Sequence, residues 1–197
     1  MDPRQQVVAG PGDALVVLDV QQDFLPGGAL GATGGEQVIR PLNRCMRVFA
    51  KRGLPVFATR YWHPPDHRSF ATHGGSMPPH CVAESVGASF PPELGFPHQA
   101  VVVSKATVAD DERHSPFECT DLESQLRRAG VQRLFIGGLG TVHCVLKTSL
   151  DARAAGFGVT VLRDAIAPVE TRPGEGERAL GRLLEAGAEV IDSKTVA

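Results

Sequence analysis

Six short apolar runs, most of them dense in Val, Ile or Leu, recur along the chain with stretches of helical periodicity between them. That alternation admits few folds. Strands that read as near-continuous apolar runs are buried on both faces, which requires a parallel sheet with helices packed on either side. The expected strands are residues 14–20, 54–59, 100–104, 131–137, 158–162 and 188–192. Helices are expected over 37–52, with Pro41 confined to its opening turn and Gly53 as its stop, and over 121–129, 143–155 and 175–186. Thr120 or Asp121 can cap the second of these. The architecture this predicts is α/β: a single doubly wound domain with a six-stranded parallel sheet flanked by helices.

A chain of 197 residues, 42% hydrophobic, can bury one core of ordinary size, so one domain is expected over 1–197, with residues 1–12 poorly ordered. The formal charge of −2, with both signs interspersed, leaves no basic stripe that would follow a phosphate backbone, and no nucleic-acid partner is expected. No signal-peptide-like apolar region and no membrane-length apolar window is present, which predicts a soluble, cytoplasmic protein without a membrane partner. Cys45, Cys81, Cys119 and Cys144 are far apart and form no CxxC pair. They fit neither a disulfide framework nor a thiolate zinc site, leaving a thiol free for chemistry.

In open α/β sheets, ligands bind beyond the carboxyl ends of the strands. Three polar residues are expected there: Asp19 closing the first run, Lys105 directly after VVVS, and Cys144 just past GGLGT at the start of a helix. Their chemistry is compatible. Breaking an amide needs a strong nucleophile, a group to take its proton, and a cation to hold the charges in place. Cys144 is the candidate nucleophile, with the helix N-terminus favouring thiolate and the Gly-rich turn offering backbone donors to an oxyanion. Asp19 is the candidate base and then acid, with Lys105 orienting it. Taken singly, the three also read as a small buried thiol, a turn cap and a solvated charge. Residues 60–99 are rich in Pro, Gly and His without periodicity, which marks a functional loop. Its His63, His67, His73 and His80 read either as metal ligands or as imidazoles bonded to loop carbonyls.

The segments DVQQDFLPGGAL, RYWHPPDHRSF, PPHC, SKAT and GGLGTVHCV, in this order and spacing, resemble the nicotinamidases of the isochorismatase-like hydrolase superfamily. The resemblance runs from residue 14 to about residue 167. It implies the isochorismatase-like hydrolase fold and a cysteine-dependent amidohydrolase of pyridine nucleotide salvage, converting nicotinamide or a related carboxamide to the acid and ammonia through a thioester. Asp19, Lys105 and Cys144 fall on that family's catalytic triad. Gly140 and Cys144 fall on its oxyanion-hole N–H donors, beside a cis peptide expected at Leu139–Gly140. Phe24 falls on the aromatic residue that packs on the substrate ring.

The family also carries a divalent metal on Asp and His ligands. Here Tyr61 stands where the family has the Asp, while His63, His67 and His80 remain at matching positions. The resemblance therefore implies a divalent metal, zinc by donor type, on an all-imidazole set that lacks the carboxylate. Met77 replaces a common Trp, and Val142 and His143 replace a frequent Asp-Tyr pair, so Tyr61, Met77 and His143 are expected to line the substrate pocket. Homo-oligomerisation is also implied, with a small amide as substrate. Tyr61 keeps open a metal-independent amidase acting on a carbamoyl, ureido or maleamate-type substrate. A non-catalytic relative is the third possibility.

Overall fold

The computed structural model describes residues 6–31, 33–111, 113–168 and 174–197. The apolar runs become strands β1 (Asp13–Leu18), β2 (Val56–Tyr61), β3 (Val101–Lys105), β4 (Arg133–Leu139), β5 (Gly158–Ala167) and β6 (Glu189–Ile191). All pair in parallel, in the order β3-β2-β1-β4-β5-β6. The helices are α1 (Ile39–Lys51), α2 (Pro116–Cys119), α3 (Leu122–Arg128), α4 (Leu146–Ala154) and α5 (Glu175–Glu185).

The period of two along β1 builds a core on each face of the sheet. Leu15 and Val17 face one side and meet Leu42, Cys45, Met46 and Phe49 of α1. Ala14, Val16 and Leu18 face the other and meet Leu122 and Leu126 of α3, Ala152 of α4, and Ala179 and Leu183 of α5. Burial of these apolar surfaces, worth roughly 25 cal/mol per Å² removed from water, is what clamps the helices to the sheet. The strand order reverses between β1 and β4, so the loops leaving those two strands diverge and open the crevice where such folds bind ligands.

Boundaries differ from the sequence reading where a polar or glycine residue changes the backbone. The first strand stops at Leu18 because Asp19 turns into the left-handed region at φ 54°. β5 runs five residues beyond the expected end, carrying Arg163 and Asp164 past a register shift opposite Ile136 and Gly138. There the Asp164 carboxylate accepts hydrogen bonds from the Ser193 N–H and hydroxyl, 2.6 and 2.7 Å, so its charge is satisfied. Residues 143–155 are not one regular helix: Thr141–Val145 forms a wide π-type turn and α4 begins only at Leu146. The expected disorder of residues 1–12 does not extend to the described part. Val7 N–H donates to the Thr195 carbonyl at 2.8 Å, Ala9 N–H donates to the Ala197 carbonyl at 2.9 Å, and Ala9 is buried. Residues 1–5 lie outside the described set.

The segment after β2 has almost no regular structure, yet it is pinned. His63 bridges to Val82 and Phe70 to Met77, and Phe70, His67 and Cys81 are buried. It covers the carboxyl ends of β2 and β3.

Candidate active site

Asp19, Lys105 and Cys144, from the ends of β1, β3 and β4, meet in one buried cluster. The left-handed turn at Asp19 swings its carboxylate toward β2, where the Thr59 hydroxyl donates to Oδ1 at 2.7 Å. Lys105 Nζ donates to Asp19 Oδ2 at 2.7 Å and to the His114 carbonyl at 2.6 Å, and it lies 3.6 Å from Cys144 Sγ. Both members of the ion pair are buried. Burial pulls the Lys105 amine down, but the charges of Asp19 and Cys144 outweigh it and hold the ammonium above its ordinary range.

Burial pushes the Cys144 thiol up to about 11; Lys105 pulls it down and Asp19 raises it further. At rest, then, the sulfur keeps its proton, contrary to the expectation of a helix-terminal thiolate. The π-type turn replaces the helix N-terminus that was to lower it. A protonated thiol beside a carboxylate and an ammonium is a nucleophile that must hand over its proton as it attacks, which suits Asp19 as base.

The turn feeding Cys144 depends on two glycines. A Cβ on Gly138, at φ 138°, would stand 2.1 Å from the Leu18 carbonyl oxygen, so only glycine lets β4 run this close to β1. Gly140 adopts φ 76° and its N–H donates to the Ala167 carbonyl at 3.1 Å. The donor expected for the oxyanion hole is therefore engaged in this conformation. The cis peptide expected at Leu139–Gly140 is absent: the described residues contain no cis bond.

Tyr61 lies against the triad. The Gln21 side chain clamps its backbone, accepting from the Tyr61 N–H at 2.7 Å and donating to its carbonyl at 2.8 Å. The Lys105 ammonium sits 4.0 Å above its ring, and Phe24 packs edge-on at 5.8 Å. The hydroxyl lies 3.4 Å from Cys144 Sγ and 2.7 Å from His114 Nδ1. Phe24, Tyr61, Trp62, Cys81, Ala88, Ala106 and Cys144 form one apolar cluster around the thiol. Met77, expected as a pocket wall, is 40% exposed and lies outside that cluster, on the loop bridged to Phe70. His143 is exposed; its ring faces His114 at 5.5 Å rather than the sulfur.

The imidazoles gather as expected, with the His67 and His80 rings 4.0 and 4.9 Å from that of His63. His63 is buried with both ring nitrogens unpartnered. Burial, then His67 and His80, push its basicity down to about 3, so it is neutral and both nitrogens' capacity is unspent. Ala106's backbone favours the proton slightly without reaching hydrogen-bond geometry. His80 Nδ1 pairs with the Pro78 carbonyl at 2.9 Å. His67 is committed on both sides, to Ser69 Oγ and the Asp111 carbonyl, each at 2.8 Å. Among the described residues no three His, Cys, Asp or Glu side chains stand ready to hold one ion together. The unsatisfied His63 and the nitrogen donor type fit zinc, with His67 joining only after leaving the Asp111 carbonyl. Tyr61 stacks on His63, ring centroids 5.2 Å apart, and its hydroxyl turns away to the sulfur.

Gln21, Thr59 and His114 were not singled out from the sequence. Thr59 follows the same strand-end rule that found Lys105. Gln21 stands two residues past Asp19, and His114 lies in an aperiodic stretch where only the fold discloses its place. A depression of about 520 Å³ on the adjoining surface, lined in part by Arg113, His114, Glu118 and Lys147, touches the triad only through His114.

Residues 13–195 match the isochorismatase domain model. The chain is 32% identical to a nicotinamidase of Escherichia coli (strain K12), over 90% of this chain and 93% of that protein. Among solved structures it resembles a pyrazinamidase of Pyrococcus horikoshii in complex with zinc, with a TM-score of 0.88, 43% identity and coverage of 92% and 99% of the two chains. It also resembles PnC1 of L. infantum in complex with nicotinate, with a TM-score of 0.90, 33% identity and 98% coverage of each. With its triad assembled at the carboxyl edge of a six-stranded parallel sheet, the chain belongs to the isochorismatase domain family.

Proposed function

We propose that this protein is a nicotinamidase-like amidohydrolase that converts nicotinamide, or a close aromatic carboxamide, to the acid and ammonia with Cys144 as nucleophile. The observation that carries the reading is the buried line of Asp19, Lys105 and Cys144, 2.7 and 3.6 Å apart. Its relatives include a nicotinamidase and a pyrazinamidase, each matched over nearly its whole length.

Asp19 takes the thiol proton as the sulfur attacks the amide carbon, and the new C–S bond forms while negative charge moves to the carbonyl oxygen. Lys105 holds Asp19 against the sulfur and balances the thiolate. As the C–N bond breaks, Asp19 returns the proton to the departing nitrogen, which leaves as ammonia. Water, activated by the same carboxylate, then splits the thioester and restores the thiol. The Cys144 N–H is the proposed oxyanion donor, joined by Gly140 once its bond to Ala167 opens. Phe24 is the proposed ring-stacking contact, with Tyr61 closing the pocket floor. A divalent metal, zinc by donor type, is proposed on His63 and His80 with His67 as the third ligand; when bound it would anchor the substrate or a water. The four free cysteines suit a reducing compartment, and a cytoplasmic homo-oligomer is part of the proposal, tested by fractionation and light scattering.

Ammonia release tests the substrate. Enzyme supplied with zinc should release ammonia from nicotinamide and pyrazinamide, and Cys144→Ala should release none. Equal background from both proteins would remove the substrate assignment. One observation favours a second reading, a metal-independent amidase for carbamoyl, ureido or maleamate-type substrates: the Tyr61 hydroxyl serves the thiol instead of the imidazole cluster. Full activity on such a substrate after exhaustive metal removal would establish it.

A further inference from the structure

We propose that Tyr61 is a fourth catalytic residue, its hydroxyl donating a hydrogen bond to the Cys144 sulfur, and that His114 is the positioning residue that holds that hydroxyl in place through Nδ1. The inference rests on Cys144 being the nucleophile and goes beyond the triad.

The placement of Tyr61 is over-determined. Gln21, itself buried and also bonded to the Ala88 carbonyl at 2.9 Å, fixes both backbone polar groups of Tyr61. The ring is held between the Lys105 ammonium at 4.0 Å and the His63 imidazole at 5.2 Å. These contacts leave the hydroxyl one direction, into the gap between His114 Nδ1 at 2.7 Å and Cys144 Sγ at 3.4 Å. A hydroxyl carries one proton. If it donates to sulfur, its oxygen must accept from His114, so Nδ1 carries the ring proton there. His114 is anchored in turn, its carbonyl accepting from Lys105 Nζ at 2.6 Å and its ring lying against His143.

When the thiol proton passes to Asp19, negative charge grows on a sulfur that is nine-tenths removed from water. Besides Asp19, which now holds the proton, the Lys105 ammonium and the Tyr61 O–H face it. A hydrogen bond to a charged acceptor in such surroundings is far stronger than one to the resting thiol, so Tyr61 stabilises the attacking state more than the ground state. A phenol carries a single O–H, which the gap between His114 Nδ1 and Cys144 Sγ leaves free to point at the sulfur. In this chain the position that would supply a carboxylate to a metal has become a partner of the nucleophile.

The test is a double-mutant cycle read by alkylation of Cys144 with iodoacetamide at fixed pH, followed by peptide mass spectrometry, alongside kcat and KM for nicotinamide. Tyr61→Phe keeps the ring contacts and should lower the alkylation rate and kcat about tenfold, the scale of one charge-assisted hydrogen bond, with KM nearly unchanged. His114→Ala should lose part of the same factor, His114→Asn should recover it through its amide N–H, and the double variant should be no worse than Tyr61→Phe alone. Alkylation needs no substrate, so this arm stands even if nicotinamide is not turned over. If Tyr61→Phe proved unstable by thermal melting, the Ala and Asn variants of His114, which leave the tyrosine packing intact, decide the matter. Unchanged alkylation in Tyr61→Phe, losses that multiply in the double variant, or an Asn no better than Ala would overturn the proposal.

Discussion

The Lys105 ammonium stands 3.6 Å from the Cys144 sulfur at the end of a fully buried side chain, which crosses from the edge strand of the sheet to its centre. A lysine is desolvated in this way only when its charge is answered, and here Asp19 and the His114 carbonyl answer it.

Removing the ammonium strands a buried carboxylate. Lys105→Met should cost about 3–5 kcal/mol of stability in urea denaturation and abolish ammonia release. Adding Asp19→Asn should restore part of that stability and none of the activity, because the unpaired charge is gone but the base is gone too. A Lys105→Met protein as stable as the wild type would show that the pair carries no such strain.

The sheet and both core faces were legible in the sequence because burial on two sides forces uninterrupted apolar runs, and the strand-end rule then located Asp19, Lys105 and Cys144. What lay beyond reach depends on backbone detail. The end of β1 is set by the left-handed turn of Asp19, and the extension of β5 is masked by the charged Arg163 and Asp164, the second of which is answered by the distant Ser193. Met77 was expected beside the substrate by position in a motif, but it lies on a loop held to Phe70 by a parallel bridge and is 40% exposed. His114 reaches the site from a segment with no periodicity, so no pattern in the chain marks it.

The cysteine thiols give the protein an alkaline weakness. Burial raises Cys45 to about 12 and Cys144 to about 11 from an ordinary 9.0, and raises Cys81 as well. Above 9.0 the unfolded chain releases protons that the folded chain retains, so the unfolded state binds fewer and stability falls as pH rises. The stability these groups contribute is whole below 9.0 and is lost progressively toward 11 and 12. Melting temperature should therefore drop through this window, and Cys45→Ala should flatten the slope while lowering the starting value. A pH-independent melting temperature across it contradicts the assignment.

Gln21 holds Tyr61 by both backbone groups. Gln21→Ala leaves a buried N–H and two buried carbonyls unpaired, for a loss of about 2–4 kcal/mol in denaturant titrations, and frees Tyr61 to move off the sulfur. Gln21→Glu keeps one acceptor but turns a buried carboxylate oxygen onto the two carbonyls, and should cost at least as much as alanine. An alanine variant of unchanged stability would contradict the clamp.

The imidazole cluster predicts its own metal behaviour. Zinc measured by plasma emission on protein loaded and dialysed should be retained weakly by the wild type and lost in His63→Ala. Tyr61→Asp returns a carboxylate beside His63 and should tighten zinc binding roughly 10- to 100-fold while slowing attack by Cys144. No gain in zinc retention in Tyr61→Asp would place the ion elsewhere.

The central claim is that the Cys144 sulfur becomes acylated during turnover. Mixing enzyme with nicotinamide, quenching in acid within the first turnovers and analysing the peptides by mass spectrometry should find a nicotinoyl group on the peptide carrying Cys144, absent in Cys144→Ala. Turnover of nicotinamide with no adduct on that peptide, or with the group on Cys45, Cys81 or Cys119, contradicts it.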